Sequence, residues 1–172
     1  MNSNTSIRLA TISDAAAIAH VHIRSWQMMY KDFIPESILM NLSLKERTQQ
    51  WQTLIQQNVN VLVTTVDDRI VGFASFCAFR DAAAKSSAGE ISAIYLLPDY
   101  WRQGLGTKLC QMALAELMQL EFKAVYLWVL KANAQARSFY ESLGFTELPD
   151  TKLEEFYEGG ALLTEILYKK TL

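Results

Sequence analysis

Two glycines flank one leucine in LLPDYWRQGLGTKL, residues 96–109, and a tyrosine stands in ANAQARSFYESLGF, residues 132–145. Where a strand ends and a helix begins, the first backbone N–H groups of the helix lack acceptors and carry partial positive charge. An anion is favoured there. Glycines let a phosphate approach the backbone with no Cβ in the way. The competing reading is a plain turn. Two common phosphate loops are excluded. A P-loop needs Lys after its last glycine and an earlier glycine five residues back, but residue 107 is Thr and residue 101 is Trp. A dinucleotide fingerprint needs a third glycine at position 109, which is Leu.

What remains is a strand, Pro98-Asp-Tyr, then Arg102-Gln-Gly-Leu-Gly-Thr107 and an amphipathic helix. At these residues the chain resembles the GNAT N-acetyltransferase superfamily, whose acetyl-CoA loop has the form [Q/R]xxGx[G/A] after a strand ending near a proline. VYLWVLKANAQARSFYESLGF at 125–145 is similar to the family's second signature of strand, asparagine, short helix and closing "FY…GF". Both motifs occur in the family's order. One position departs from it: Trp101 stands where Gln or Arg is usual, with Arg102 beside it.

The resemblance implies a GNAT fold, an α/β (α+β) arrangement with a mixed, mostly antiparallel central sheet, flanking helices and a V-shaped cofactor cleft. It implies acetyl-CoA as cosubstrate. The amides of Arg102, Gln103, Gly104, Leu105, Gly106 and Thr107 would hold the pyrophosphate, and the strand edge at Ile94, Tyr95 and Leu96 the pantetheine arm. Asn133 would cap its helix and face the cofactor.

Acetyl transfer to an amine needs a neutral amine, a stabilised oxyanion and a protonated leaving thiolate. Tyr140 is the implied acid, since a phenol of ordinary pKa, about 10, keeps its proton at neutral pH. A tyrosine packed in the core is the bland alternative. Deprotonating a lysine-like amine at pH 7 costs about 4–5 kcal/mol, so a base is wanted. Glu90 is the candidate, sharing a strand face with Ser92, Ile94 and Leu96, and a strand-edge carboxylate in a solvent ion pair is the competing reading. Some relatives place a glutamate five residues before the asparagine, but that position here is Trp128. The acceptor would meet Trp26, Tyr30, Phe156 and Tyr157, whose rings can stack on a substrate or enclose a cation. Glu154, Glu155 and Glu158 either suit a cationic amine or form a solvated surface.

The elements that must position these groups follow from pattern. A short strand is expected over 6–10 and a helix from the TISD box at 11–14 to about 26, with His22 packed on its apolar side. Pro35 marks a turn, and Ser43 caps a helix to about 57. Residues 59–66 and 70–79 read as a hairpin about Asp67-Asp-Arg69, and 80–89 as a small, polar loop. A strand over 90–97, a helix over 106–120 and an apolar strand over 123–130 give βαβ character. A helix capped by Asn133 and stopped by Gly144 follows, then strands over 145–156 and 161–169.

The chain of 172 residues fits one domain, 1–172, with a sizeable core. A net charge of −2 gives no electrostatic case for nucleic acid. No apolar run is long enough for a membrane span, and MNSNTS lacks a signal-peptide layout, so a cytoplasmic location is expected. Cys77 and Cys110 read as core thiols, and two histidines without a Cys or carboxylate cluster make metal binding unexpected. The reading is an N-acetyltransferase acting on a primary amine of a small molecule, a protein N-terminus or a lysine. The alternative is a non-catalytic CoA-binding regulatory domain. A homodimer is compatible with the sequence.

Overall fold

Alternating and apolar runs, broken by turn residues, give seven strands and five α-helices among the residues that the computed structural model describes, 4–80 and 87–172. In order they are β1 (Thr5–Leu9), α1 (Ala15–Met29), α2 (Glu36–Met40), α3 (Leu44–Gln56), β2 (Asn60–Val66), β3 (Arg69–Ala78), β4 (Ala88–Leu96), α4 (Leu105–Gln119), β5 (Ala124–Leu130), α5 (Ala134–Ser142), β6 (Thr146–Glu155) and β7 (Leu162–Thr171). The sheet order is β1-β2-β3-β4-β5-β7-β6. The β1–β2, β2–β3, β5–β7 and β6–β7 pairs are antiparallel, whereas β4 and β5 pair in parallel through 88–90 and 124–126. This is the mixed, mostly antiparallel sheet expected. Most of the loop expected over 80–89 lies outside the described residues.

The chain forms two compact units, one within Met1–Phe76 and Ala93–Ala113, the other within Cys77–Ser92 and Leu114–Leu172. In the first, the β2–β3 hairpin turns on Asp67 and Asp68, both left-handed with φ 48° and 64°, the two-residue geometry that matches strand twist. Asp14 ties down the start of α1: its carboxylate accepts the Thr11 N–H at 2.8 Å and the Arg8 guanidinium at 2.7 and 2.9 Å. The box at 11–14 caps a 3-10 turn (Ile12–Asp14), and α1 proper begins one residue later. Ser43 caps α3 as expected, accepting the Glu46 N–H at 3.2 Å. The buried sides of α1 and α3, with Val61, Val63, Val71, Phe73, Leu97 and Leu105, make this unit's core.

In the second unit β5 is buried at Val125, Tyr126, Leu127, Val129 and Leu130, as its apolar run predicts. Gly144, at φ 83°, follows the last turn of α5 in the left-handed stop expected there. A polar knot anchors α5. Arg137 donates to Tyr168 Oη at 3.1 Å and to Glu147 at 2.8 Å, while Tyr168 Oη donates to Glu141 at 2.9 Å, with Glu147 as the alternative acceptor at 3.1 Å. Cys77 is half-buried and Cys110 buried, and burial pushes the Cys77 thiol up from its ordinary value. Among the described residues no helix is long and apolar enough to cross a membrane.

Candidate active site

The end of β4 is built to hold a fixed backbone. Gly72 on β3 is the reason it can sit so close: a Cβ there would collide with the Leu96 side chain and lie 3.0 Å from the Tyr95 carbonyl oxygen. The Leu97 N–H donates to Val71 O at 2.8 Å. The Leu96 carbonyl accepts two side-chain bonds, from Ser25 Oγ of α1 and from Trp101 Nε1, each 2.8 Å. Both acceptor positions of that carbonyl are therefore used within the protein. Trp101, the departure from the family pattern, is a brace between the glycine loop and the strand.

After Trp101 the chain turns through two left-handed residues, Arg102 at φ 62° and Gly104 at φ 80°. Gln103 Nε2 donates back to Asp99 O at 2.8 Å, holding the turn. Space beside Gly104 is open, since a Cβ there would meet nothing within 4 Å. The first helical bond of α4 runs from the Lys108 N–H to Gly104 O at 3.1 Å. The amides of Leu105, Gly106 and Thr107 thus precede the helical ladder and have no acceptor within it. Loop, exposed Arg102 and helix N-terminus fit a pyrophosphate: three amides, one cation and a Cβ-free approach.

Beside β4 in the same unit lies an aromatic cluster. The Tyr95 ring stacks on His22 at 5.0 Å between centroids, and Trp26 meets His22 at 5.4 Å and Tyr30 at 5.1 Å, edge to face. Of the two acceptor residues expected here, Trp26 is half-buried and Tyr30 is 7% exposed, packed chiefly in the core. His22 is core as well. Trp51 Nε1 donates to its Nδ1 at 3.2 Å, and burial, with the nearby Arg47 charge, lowers its pKa to about 3. Arg47 was not singled out in the sequence. Its one signal was spacing, four residues before Trp51 on the buried stripe of α3.

In the second unit Asn133 caps α5, its Oδ1 accepting the Ala136 N–H at 3.0 Å; its Nδ2 donors take no part in that cap. Tyr140, half-buried on the same helix, meets Phe139 at 5.1 Å and Phe145 at 5.7 Å, edge to face. Glu90 is 3% exposed and held by Arg80, whose Nη2 donates to Oε1 at 2.5 Å and whose Nε and backbone N–H donate to Oε2 at 3.2 Å. It is an ion pair, as the competing reading had it, with the carboxylate buried instead of solvated.

Register puts Glu90, Tyr126, Trp128, Glu165 and Lys152 on one sheet face. Lys152 Nζ lies 4.9 Å over the Trp128 ring and 3.1 Å from both Glu154 and Glu165. Burial, with Glu154 and Glu90 nearby, raises the Glu165 pKa against the opposing pull of Lys152. Sequence reasoning missed Glu165, because its partners come from other strands. Phe156 and Tyr157 open the β6–β7 connection, half-buried, the Tyr157 ring resting on Gly160. Glu155 accepts the Gly159 N–H at 2.6 Å, and Glu154 pairs with Lys152, so both stabilise the hairpin.

The site thus combines a mixed sheet with a parallel β4–β5 pair, a glycine turn and an unladdered helix N-terminus. The chain belongs to the acetyltransferase (GNAT) family, whose model matches residues 26–145. It is 32% identical over 164 residues to the uncharacterized N-acetyltransferase YuaI of Bacillus subtilis, covering 94% of this chain and 90% of that one. The fold is similar to that of the ribosomal-protein-alanine N-acetyltransferase of Brucella melitensis, with TM-score 0.76, 22% identity and 97% and 99% of the two chains covered. It is also similar to that of the PaiA N-acetyltransferase of Thermoplasma acidophilum in complex with coenzyme A, with TM-score 0.75, 20% identity and 98% and 99% covered.

Proposed function

We propose that residues 1–172 act as one N-acetyltransferase domain that moves the acetyl group of acetyl-CoA to a primary amine in the cytoplasm. The observation that carries this is the unladdered N-terminus of α4 behind the left-handed Arg102 and Gly104, on a chain of this family. Acetyl-CoA, when bound, supplies an acyl group activated as a thioester. The amides of Leu105, Gly106 and Thr107 hold its pyrophosphate, with the turn at 102–104. Backbone contact with the pantetheine arm falls to Ile94, Tyr95 and the Leu96 N–H, because the Leu96 carbonyl is already used. A backbone N–H of the same strand supports the developing oxyanion.

Tyr140 gives its proton to the leaving sulfur as the C–S bond breaks; the motif and its seat on α5 support that role. For the amine's proton we assign Glu90. Its carboxylate is oriented by three donors of Arg80 and keeps one acceptor position for a water or an amine. A second reading assigns the proton to Glu165, favoured by its raised pKa and its place on the face that carries Glu90. Trp26, Tyr30, Phe156 and Tyr157 bound the acceptor in this reading.

The test is turnover of acetyl-CoA against a panel of amines, read as free thiol, beside CoA binding by thermal shift. Transfer to at least one amine is expected. Stabilisation by CoA with no transfer to any amine would instead make the chain a CoA-binding module. Unequal effects of Glu90→Gln and Glu165→Gln on the pH profile decide between the two bases.

A further inference from the structure

We propose that Arg47 seats a carboxylate of the acceptor, so that the amine this enzyme acetylates carries a carboxylate group. The inference rests on the acetyl-transfer reading and narrows its substrate class to amino-acid-like small molecules. It starts from a charge without a counter-ion. Arg47 is half-buried on α3, and none of the ion pairs formed among the described residues includes it. Burial pushes its guanidinium below the ordinary value, while the Tyr95 phenol and its chain neighbour Glu46 favour the charge more weakly. A partly buried cation of this kind is favoured by an anion.

The neighbouring Glu46 makes no ion pair with Arg47 among the described residues. The guanidinium carbon lies 5.5 Å from the Trp26 ring centroid, the ring that meets Tyr30 and His22 edge to face. His22 is uncharged at neutral pH, its Nδ1 accepting from Trp51. Among the described residues the one polar bond of the guanidinium goes to a neutral side chain: Nη1 donates to Gln50 Oε1 at 2.8 Å. Nε and Nη2 remain as a parallel pair of donors, the fork that takes a planar carboxylate in two bonds. A single guanidinium beside an aromatic ring matches one negative charge better than a phosphate dianion. The cluster also contains Tyr95 of β4, stacked on His22, so the seat lies beside the strand whose edge we assign to the pantetheine arm. An amine whose carboxylate sits at Arg47 is then held next to that strand.

The experiment compares a matched pair, an α-amino acid and its carboxamide, chosen from the acids that wild type turns over. Arg47→Gln and Arg47→Lys are measured after each is shown to be folded by circular dichroism. Expected is at least a tenfold preference of wild type for the acid in kcat/KM. Arg47→Gln loses that preference through KM for the acid, leaving the carboxamide and acetyl-CoA constants within twofold, and Arg47→Lys retains part of it. Equal losses on acid and carboxamide, a wild-type preference for the carboxamide, or a preference for a phosphate-bearing amine would each overturn the seat. If no amine is turned over at all, the transfer reading fails separately. The seat is then judged by thermal shift, where the acid must stabilise wild type and not Arg47→Gln.

Discussion

The Trp101 indole N–H donates to the Leu96 carbonyl at 2.8 Å, across the five residues that separate β4 from the glycine loop. That bond fixes the direction in which the chain leaves β4, and Ser25 Oγ secures the same oxygen from α1. A Gln or Arg side chain at this position has its own donors. An indole has one, and here it is spent on the strand.

Trp101→Phe keeps the ring and removes the donor. Stability is expected to fall by about 1 kcal/mol, the usual net value of one hydrogen bond. The KM for acetyl-CoA should rise several-fold as the loop loosens. Thermal melts and initial rates check both, and an unchanged KM would show that Ser25 alone holds the strand end.

Gly106→Asp places a carboxylate among the first amides of α4, where the pyrophosphate is proposed to lie. CoA binding, measured by calorimetry on the folded variant, should be lost through repulsion and occupied space. Ordinary CoA affinity would remove the cradle. Gly104→Val tests the same loop through its backbone, because φ 80° costs a β-branched residue of the order of 1–2 kcal/mol.

Tyr140→Phe should lower the single-turnover rate by about 100-fold or more, the usual range for a lost general acid. Its affinity for CoA should stay near wild type. Single turnover matters, since slow product release would otherwise mask the change. An unchanged rate would leave Tyr140 as a packed core ring.

His22 gives stability a pH dependence with a definite sign. Its folded pKa of about 3 lies below the ordinary value near 6.5. Above pH 6.5 the ring is neutral in both states and carries no linkage. As pH falls from 6.5 towards 3 the unfolded chain takes up a proton that the folded protein refuses, so stability declines by an amount of the order of a few kcal/mol. His22→Leu should flatten the melting temperature between pH 6.5 and 4, at the cost of leaving the Trp51 N–H without its acceptor. Asp14 acts in a separate window: its pKa is lowered to about 2, so its contribution is intact above pH 4 and lost as pH drops towards 2.

Local rules were enough for much of this chain. Ser43 and Asn133 cap helices, Gly144 stops one and Asp67-Asp68 turns a hairpin, because each depends on backbone geometry within a few residues. The glycine loop and the "FY…GF" segment were legible for the same reason: a helix N-terminus is a local object, and its chemistry is written in adjacent residues. The pairings of side chains were not. Trp101 with Leu96, Arg80 with Glu90, and Lys152 with Glu165 look like unremarkable residues until the fold brings the partners together.

Sequence alone therefore determined the family and most of the order of elements, which rest on short-range spacing; the short helix α2 after Pro35 was read only as a turn. Tertiary structure decided which charges are left without partners. Arg47 stands among helix residues that look solvated, and only the packing of α3 against α1 brings its guanidinium over Trp26, with no ion pair formed to it among the described residues. Burial and counter-ion distance are properties of the folded chain, and they set what a charged side chain can bind.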